Sequence, residues 1–491
     1  MNLPQPFLDR ITAQLGSETE TFLEALQRPA NVSLRLNSIK IRAGENEQDL
    51  QLEAVPWATD AYYLAERPLF TCDPLLHAGC YYVQEPSSML LEQAIEWIKR
   101  RENPETILDL CAAPGGKTTH LMSLLPEESL IVSNEVIRSR AWILAENVTK
   151  WSGANTVVTN NDPADFGALG ELFDVMVVDA PCSGEGLFRK DEESVNQWTP
   201  ENLQLCSRRQ KRILSDTLPS LNVGGYLVYC TCTFNPTENE EIVRWLIQDE
   251  GYQLVDLQLD ESWGFTELEI DSGKAYQAYP HQVRGEGFFL AVLQKQRPSK
   301  TVPKSTQQQR KRKPKKSKRG RCTPCEDEPT PQVRKGYELT TRRTAEPFEN
   351  WLNEERTLRF INRGEQVSAF PKRWVEELLR IQDQLKVITL GVHVCEMKKH
   401  GAIPAHGLAL SSIFNRESFP SVEVDWQTAL RYLRREPIET SLPDGIGIVS
   451  YQGHPLGWVK QIGPRSNNWY PQEWRIRMSL PEEQLWSILK K

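Results

Sequence analysis

The chain has 491 residues, 39% hydrophobic and 25% charged, with a net charge of −8 and ten cysteines. That length exceeds one hydrophobic core and predicts two to four domains, while the composition excludes a disordered chain and a disulfide scaffold. The opening "MNLPQPFLDRITAQLGSETE" is polar and amphipathic rather than a basic and apolar leader, and no apolar run nears the roughly 20 residues needed to span a bilayer. A soluble, cytoplasmic protein with reduced thiols is expected.

The charge is unevenly spread. Residues 1–297 carry 24 basic and 44 acidic side chains, residues 298–321 carry eleven basic and no acidic ones, and residues 322–491 carry 23 and 22. An acidic body, a basic tether and a near-neutral tail are compositionally distinct pieces.

Along the body, short apolar runs alternate with amphipathic stretches. "ETILDLCAAPGGKTTHLMSLL" (residues 105–125) reads as strand, glycine-rich turn and helix, and "SLIVSNEVIRSRAWILAENVTKW" (129–151) reads the same way. "FDVMVVDAP" (173–181), "GGYLVYCTC" (224–232) and "EGFFLAVLQK" (286–295) supply further strands, the last closing the unit before the tether. Strands alternating with helices predict a parallel sheet covered on both faces.

The first turn, "DLCAAPGGKTTHL" (109–121), is where such a sheet binds a nucleotide-like ligand, beyond the carboxyl ends of its strands. Cys111, Ala112, Ala113, Pro114, Gly115, Gly116 and Lys117 would let the backbone approach the ligand and present unpaired helix-start amides. The glycines are too close together for a dinucleotide or ATP loop. Glu135 ends the next strand, where a carboxylate can accept both ribose hydroxyls. Asp162, in "TNNDPADF", should end the third, where it could hold an adenine amino group. In register at successive strand ends, these residues argue for an adenosine ligand.

The fourth strand ends in Asp179-Ala180-Pro181-Cys182, and the fifth in "YCTCTFNPTENEE" (229–241), with Cys230 and Cys232 one residue apart and three carboxylates in the closing "PTENEE". Three roles compete for these thiols: a disulfide or metal site, packing, or a nucleophile. Neither site has a C-x-x-C or a nearby His to complete a zinc tetrahedron. Packing suits Cys230, which shares a face with Val228, and Cys206 on a helix. Cys182 and Cys232 lie beyond the apolar runs beside polar turn residues, which suits reactive thiols.

The tether has no apolar branched or aromatic residue except Val302 and should be disordered. Its nine positive charges in residues 310–321 would release counterions from RNA or DNA, although a solubilising linker has the same composition. The "CTPC" that follows (322–325) lacks the second ligand pair of a zinc site.

These runs in order, with "SLRLNSIK", "GCYYVQEPSSMLL", "DAPCSGEG" and "YPHQVRGEGFF", resemble the NOL/NOP/Sun family of RNA cytosine-C5 methyltransferases over about residues 30–295. The tail, with "HGLAL" and "GHPLGWVKQIGPRSNNWYPQEWRIR", resembles the PUA-like end of the bacterial small-subunit rRNA enzymes of the RsmF type. The resemblance implies an α/β fold: a Rossmann-like class I methyltransferase sheet, a small N-terminal α+β subdomain and a C-terminal PUA-like α+β region. The implied domains are residues 1–100, 101–297 and 333–491, with 298–332 as linker. It implies S-adenosylmethionine as cofactor and RNA as partner, 16S rRNA or the small ribosomal subunit, for a monomer away from membranes.

The resemblance also assigns roles. Cys232, of the Thr-Cys pair, is the implied nucleophile that adds to cytosine C6; Cys182, of the Pro-Cys pair, assists product release; Cys230, where the family usually has serine, is a spare thiol. Asp179 would bond the ring at N3 and the exocyclic amine, and it also borders the cofactor. Lys190 and Lys117 would lower a thiol pKa or hold phosphate, unless they are solvated surface lysines. A tRNA substrate fits the catalytic motifs equally. A non-catalytic assembly factor on this fold needs no paired thiols. An adenine-N6 enzyme has an Asn/Asp-Pro-Pro-Tyr/Phe turn in place of "DAPC", and a DNA cytosine enzyme puts its nucleophile in the Pro-Cys turn.

Overall fold

Four β-sheets organise the chain in a computed structural model, which describes residues 2–41, 52–299, 338–339, 346–353, 357–484 and 486–489. Residues 300–321 of the tether and the Cys322/Cys325 pair lie outside the described residues. Among the described residues, no helix is long and apolar enough to cross a membrane.

The first sheet is N-terminal and antiparallel: β1 (Val32–Leu36), β2 (Glu53–Ala54), β3 (Ala61–Leu64) and β4 (Tyr81–Val83), in the order β2-β3-β1-β4. The central sheet contains β5 (Thr106–Asp109), β6 (Leu130–Asn134), β7 (Thr156–Thr159), β8 (Phe173–Asp179), β9 (Leu221–Thr231), β10 (Tyr252–Leu254), β11 (Thr266–Ile270), β12 (Gly273–Ala278) and β13 (Phe288–Lys295). The order is β11-β12-β13-β9-β8-β5-β6-β7, with β10 also on β13. Strands β5 to β9 are parallel, as their alternation with helices requires. The rest corrects the all-parallel expectation: β13 runs antiparallel to β9, and β11 and β12 join by a hairpin.

Side chains along these strands alternate between two cores, as the strand period demands. Leu108, Val132, Met176, Val178 and Leu227 enter one, while Ile107, Ile131, Val175, Val177, Val228 and Cys230 enter the other. Both faces are covered, so the runs read as continuously apolar. The carboxyl ends of β5 to β9 therefore share one rim.

The tail is not a separate appendage. It forms β14 (Glu338–Leu339), β15 (Leu358–Arg363), β16 (Gln366–Pro371), β17 (Val387–Leu390), β18 (Val392–Lys398) and β19 (Gly401–Pro404). Strand β17 pairs antiparallel with β7, so the central sheet does not end at β13 but takes its last strand from beyond the tether. The final sheet, β20 (Ser421–Glu423), β21 (Gly445–Tyr451), β22 (His454–Ile462) and β23 (Arg465–Asn468), packs with helix Trp426–Leu433 onto the N-terminal sheet. Leu34, Leu36 and Tyr81 share one core with Leu430, Tyr432, Leu456 and Tyr470. Near the same rim, helices Gln5–Leu15 and Thr19–Gln27 bury Phe7, Ile11 and Phe22 against Phe188, Trp198 and Phe234.

Candidate active site

The glycine-rich turn leaves β5 at Asp109 and enters helix Gly116–Leu124 through Gly115, whose φ of +119° only glycine adopts readily. A Cβ there would also press on Leu144 and Asn147, at 3.3 and 3.4 Å. The turn is held from outside: Arg140 donates to the Ala113 carbonyl at 2.7 Å, Asn147 to that of Pro114 at 2.8 Å, and the Ala112 amide donates to Asn134 at 2.8 Å. No side chain caps the helix, so its first amides are left for a ligand. Cys111 is half-buried, and burial beside Asp179, Asp109 and Glu135 pushes its thiol up.

Glu135 follows β6 and is buried, its carboxylate accepting the Ile137 amide at 2.8 Å with Arg140 at 3.4 Å. Asp162 does not end β7, which stops at Thr159. It lies three residues further on, where it caps helix Pro163–Gly167 through Ala164 at 3.1 Å and pairs with Arg212 at 3.6 Å. It still borders the rim, with its side chain 44% exposed.

The two thiols meet. Cys182, after β8, and Cys232, after β9, are half-buried with sulfurs 3.3 Å apart. The Gly186 amide donates to the Cys232 carbonyl at 2.9 Å, so the two loops are laced together. The hydrogen bond to Cys232 comes first in pushing Cys182 well above an ordinary thiol value; burial and the charges of Cys232 and Glu238 follow. Cys182 therefore stays a thiol facing Cys232. Cys230 points into the other core beside Val228, and burial pushes it up as well. Cys206 is half-buried on helix Pro200–Thr217 and is pushed up to about 11, chiefly by burial.

Both lysines are engaged by carboxylates, and Lys117 also lowers the Cys230 thiol against the larger effect of its burial. Lys117 donates to Asp179 at 2.8 Å, lies over the Phe288 ring, and is raised by the Asp179 charge despite its burial. Lys190 turns to Glu286 at 3.5 Å, and Arg189 donates to the same carboxylate at 2.7 Å. Glu286 is engaged by both cations and its amide donates to Glu85 at 2.9 Å, and β13 begins at Phe288 rather than at Glu286. Among the described residues, no group of three His, Cys, Asp or Glu side chains is arranged to hold a metal ion.

Three supporting groups escape a reading by motif. Glu185 is fully buried and takes Arg10 at 2.7 Å and the Trp198 indole at 2.9 Å, tying the N-terminal helices to the thiol loop. Arg35 reaches from β1 to Thr119 at 2.8 Å and stacks on Trp151, and burial lowers its pKa to about 9. Asp109 has one buried oxygen on Thr118 at 2.6 Å and one without a partner, and burial pushes it up to about 7. Asp109 carried a signal as an acid inside an apolar strand, and Arg35 and Glu185 lie within the runs "SLRLNSIK" and "DAPCSGEG" with no role assigned to them.

A parallel sheet with a glycine-rich turn, acids past its strand ends and a thiol pair on the same rim defines a Rossmann-like methyltransferase. The methyltransferase homolog protein from Pyrococcus horikoshii has this fold, at 28% identity over 60% of this chain and 95% of that one, with a TM-score of 0.51. NSun6 from Pyrococcus horikoshii with SFG, at 19% identity over 60% and 98% with a TM-score of 0.51, is alike in fold alone. Three family models match: 16S rRNA methyltransferase RsmB/F over residues 96–294, the N-terminal domain of 16S rRNA methyltransferase RsmF over 3–86, and the methyltransferase RsmF PUA domain over 419–476. The ribosomal RNA small subunit methyltransferase F of Vibrio cholerae serotype O1 (strain M66-2) is 29% identical over 486 residues, covering 96% of this chain and 98% of that protein. That of Serratia proteamaculans (strain 568) is 29% identical over 488 residues, covering 96% of each. The chain thus carries a methyltransferase domain of the RsmB/F type and is similar along 96% of its length to the ribosomal RNA small subunit methyltransferases F.

Proposed function

We propose that this protein methylates the C5 carbon of cytosine in RNA, with 16S rRNA as target and S-adenosylmethionine as methyl donor. The carrying observation is the pair of half-buried thiols 3.3 Å apart on the rim that also bears Asp179. A protein that only bound RNA would have no use for such a pair. The names of the relatives and the PUA match support ribosomal RNA as the substrate.

The rim fits the donor. The uncapped helix start offers amides, Glu135 offers a carboxylate for ribose hydroxyls, and Val136 and Ile137 stay 55% and 50% exposed beside it, apolar surfaces suited to an adenine. Bound S-adenosylmethionine supplies an electrophilic methyl group.

Cytosine C5 is too weak a nucleophile to take that methyl unaided. Attack by the Cys232 thiolate forms the Sγ–C6 bond and places carbanion character on C5. Asp179, gripped by Lys117 through Oδ2, keeps its other oxygen to accept from the exocyclic amine and from N3–H, N3 taking a proton from solvent as the ring gains charge and returning it at elimination. After C5 gains the methyl it loses its proton to a base, the Sγ–C6 bond breaks and the C5–C6 double bond returns. Cys182, held as a thiol against Cys232, donates a hydrogen bond to the departing sulfur and stabilises it as the thiolate. The cytosine must be unpaired or flipped out, since C6 is inaccessible in a stacked helix.

A denaturing gel with labelled rRNA tests the roles. Cys232→Ala should form neither methylated RNA nor adduct, with turnover down by at least about a thousandfold. Cys182→Ala should accumulate a protein–RNA band that survives boiling, and Cys230→Ser should match wild type. An adduct with Cys232→Ala and none with Cys182→Ala would reverse the two assignments.

A further inference from the structure

The carboxylates of "PTENEE" have no part in this chemistry, yet one of them lies between the two thiol loops. Glu238 is fully buried. Its Oε1 accepts the Ser183 amide at 2.8 Å and its Oε2 the Ser183 hydroxyl at 2.5 Å. Ser183 is the residue after Cys182. Its hydroxyl is also 2.9 Å from that of Thr233, the residue after Cys232. The Glu238 backbone is fixed in turn, its carbonyl accepting the Tyr229 hydroxyl at 2.6 Å from β9. The Asn239 amide group donates to the Thr233 carbonyl at 3.0 Å and to Gln277 at 3.1 Å. From the far side, Gln210 donates to the Pro181 carbonyl at 3.3 Å and approaches Glu238 at 3.4 Å.

We propose that Glu238 is a positioning residue that holds Cys182 against Cys232 by gripping Ser183, so that its loss disables product release rather than attack. The proposal rests on the roles given to the thiols above. A fully buried carboxylate is costly to keep, and burial pushes this one up to about 7 although Ser183 and Thr233 pull against it. Both of its oxygens bond Ser183, the residue attached to Cys182, and Gln210 is a longer second contact on Oε1. Cys232 keeps two supports outside the Glu238 carboxylate, the Gly186 amide on its own carbonyl and Asn239 on that of Thr233, so losing Glu238 should free Cys182 and leave the nucleophile in place. Hydrogen-bonded supports of this kind set the reactive geometry that a catalytic pair needs.

The test is the adduct gel, with Glu238→Ala, Glu238→Gln, Cys182→Ala and the double variant Glu238→Ala/Cys182→Ala in parallel. Glu238→Ala should accumulate the boiling-resistant adduct carrying methylated RNA, with turnover down at least tenfold and KM for RNA within about twofold. The double variant should behave as Cys182→Ala alone, since both changes remove one function. Glu238→Gln should restore turnover to within about threefold, because its amide oxygen accepts the Ser183 amide and its nitrogen donates to the Ser183 hydroxyl, which can turn to Thr233. Ser183→Ala, which keeps the backbone contact, should give a weaker adduct and covers the case in which Glu238→Ala does not fold. General destabilisation would lower turnover without trapping RNA. An adduct with Cys182→Ala but none with Glu238→Ala or Ser183→Ala would overturn this inference and leave the thiol roles standing. No adduct with Cys182→Ala would overturn those roles and the inference with them.

Discussion

At the thiol rim, each working group sits within a few residues of a strand's carboxyl end, and its partners come from neighbouring turns. Cys182 follows β8, Cys232 follows β9, and Lys117 reaches Asp179 across one strand. Where the N-terminal sheet meets the last sheet, distant parts of the chain are joined by different means. The indole of Trp426 donates to the Cys72 carbonyl at 2.9 Å, 354 residues away, and Tyr432 and Tyr470 share a core with Leu34 and Tyr81. The rim depends on particular atoms at particular places. The joint depends on apolar area, which many side chains could supply. Changes at the rim should alter chemistry with little loss of stability, and changes at the joint should do the reverse.

Cutting the chain after residue 297 strains that division most. Read by composition, the tether marks the end of a self-sufficient body that should bind S-adenosylmethionine alone. In the fold, β17 completes the central sheet, and Trp374, Leu378 and Ile381 fill the same core as Leu108 and Phe166. Each such side chain is worth about 1.5–3 kcal/mol of burial, against a typical total stability of about 5–15 kcal/mol. A fragment of residues 1–297 should lose its cooperative melt and its affinity for the donor. A sharp melt with full affinity would show that the tail only leans on the body.

Within the joint, Trp426→Ala should cost about 3–5 kcal/mol in urea unfolding, because it empties a large buried site and orphans the Cys72 carbonyl. Trp142, 52% exposed on helix Arg138–Trp151, should cost under about 0.5 kcal/mol when changed to alanine. Methylation by Trp426→Ala, measured well below its melting point, should be near normal. A large rate loss there would mean that the joint shapes the rim.

The same contrast explains how much was legible in the sequence. Strands β5 to β9, the turn after Asp109 and the thiol positions were readable because periodicity and turn chemistry are local signals. The touching of Cys182 and Cys232 was not, since strand order decides it and no spacing encodes strand order. Lys190 looked available for chemistry because its partner, Glu286, lies 96 residues away. Asp162 was placed on the right rim for an incomplete reason: a residue before proline at a helix start is first of all a cap. The pairing of β17 with β7 left no trace, because a four-residue apolar segment beyond a charged linker resembles any short strand.

A smaller effect probes the rim from within. Asp109 is raised to about 7, above an unfolded value of about 3.9. Its contribution to stability is therefore fully present below about pH 4 and is lost as pH rises through 7, because only the unfolded chain ionises freely in that window. Unfolding free energy without donor should fall by up to about 1.4 kcal/mol per pH unit between pH 4 and 7 from this group. Asp109→Asn, which still accepts the Thr118 hydroxyl, should flatten that slope even if its amide nitrogen lacks a partner. An unchanged slope would place the titration elsewhere.

The smallest effect separates the two acids assigned to the donor. Glu135 is buried and already ordered by the Ile137 amide and Arg140, so its carboxylate needs little rearrangement to accept ribose hydroxyls. Asp162 is more exposed and shared with Arg212 and a helix cap, so a bond to the donor must compete with water and with both partners. Glu135→Ala should weaken binding of S-adenosylmethionine by about 2–3 kcal/mol in calorimetry, and Asp162→Ala by only about 1 kcal/mol. Asp162→Ala should also lower stability by about 1 kcal/mol through the lost cap. Asp162→Ser separates these losses, because serine restores the cap but is too short to replace the carboxylate. Stability should then recover while affinity stays at the alanine level. If Asp162→Ser recovers both, the residue acts on the donor only through the helix it caps; if Glu135→Ala binds as tightly as wild type, the ribose is held by other groups.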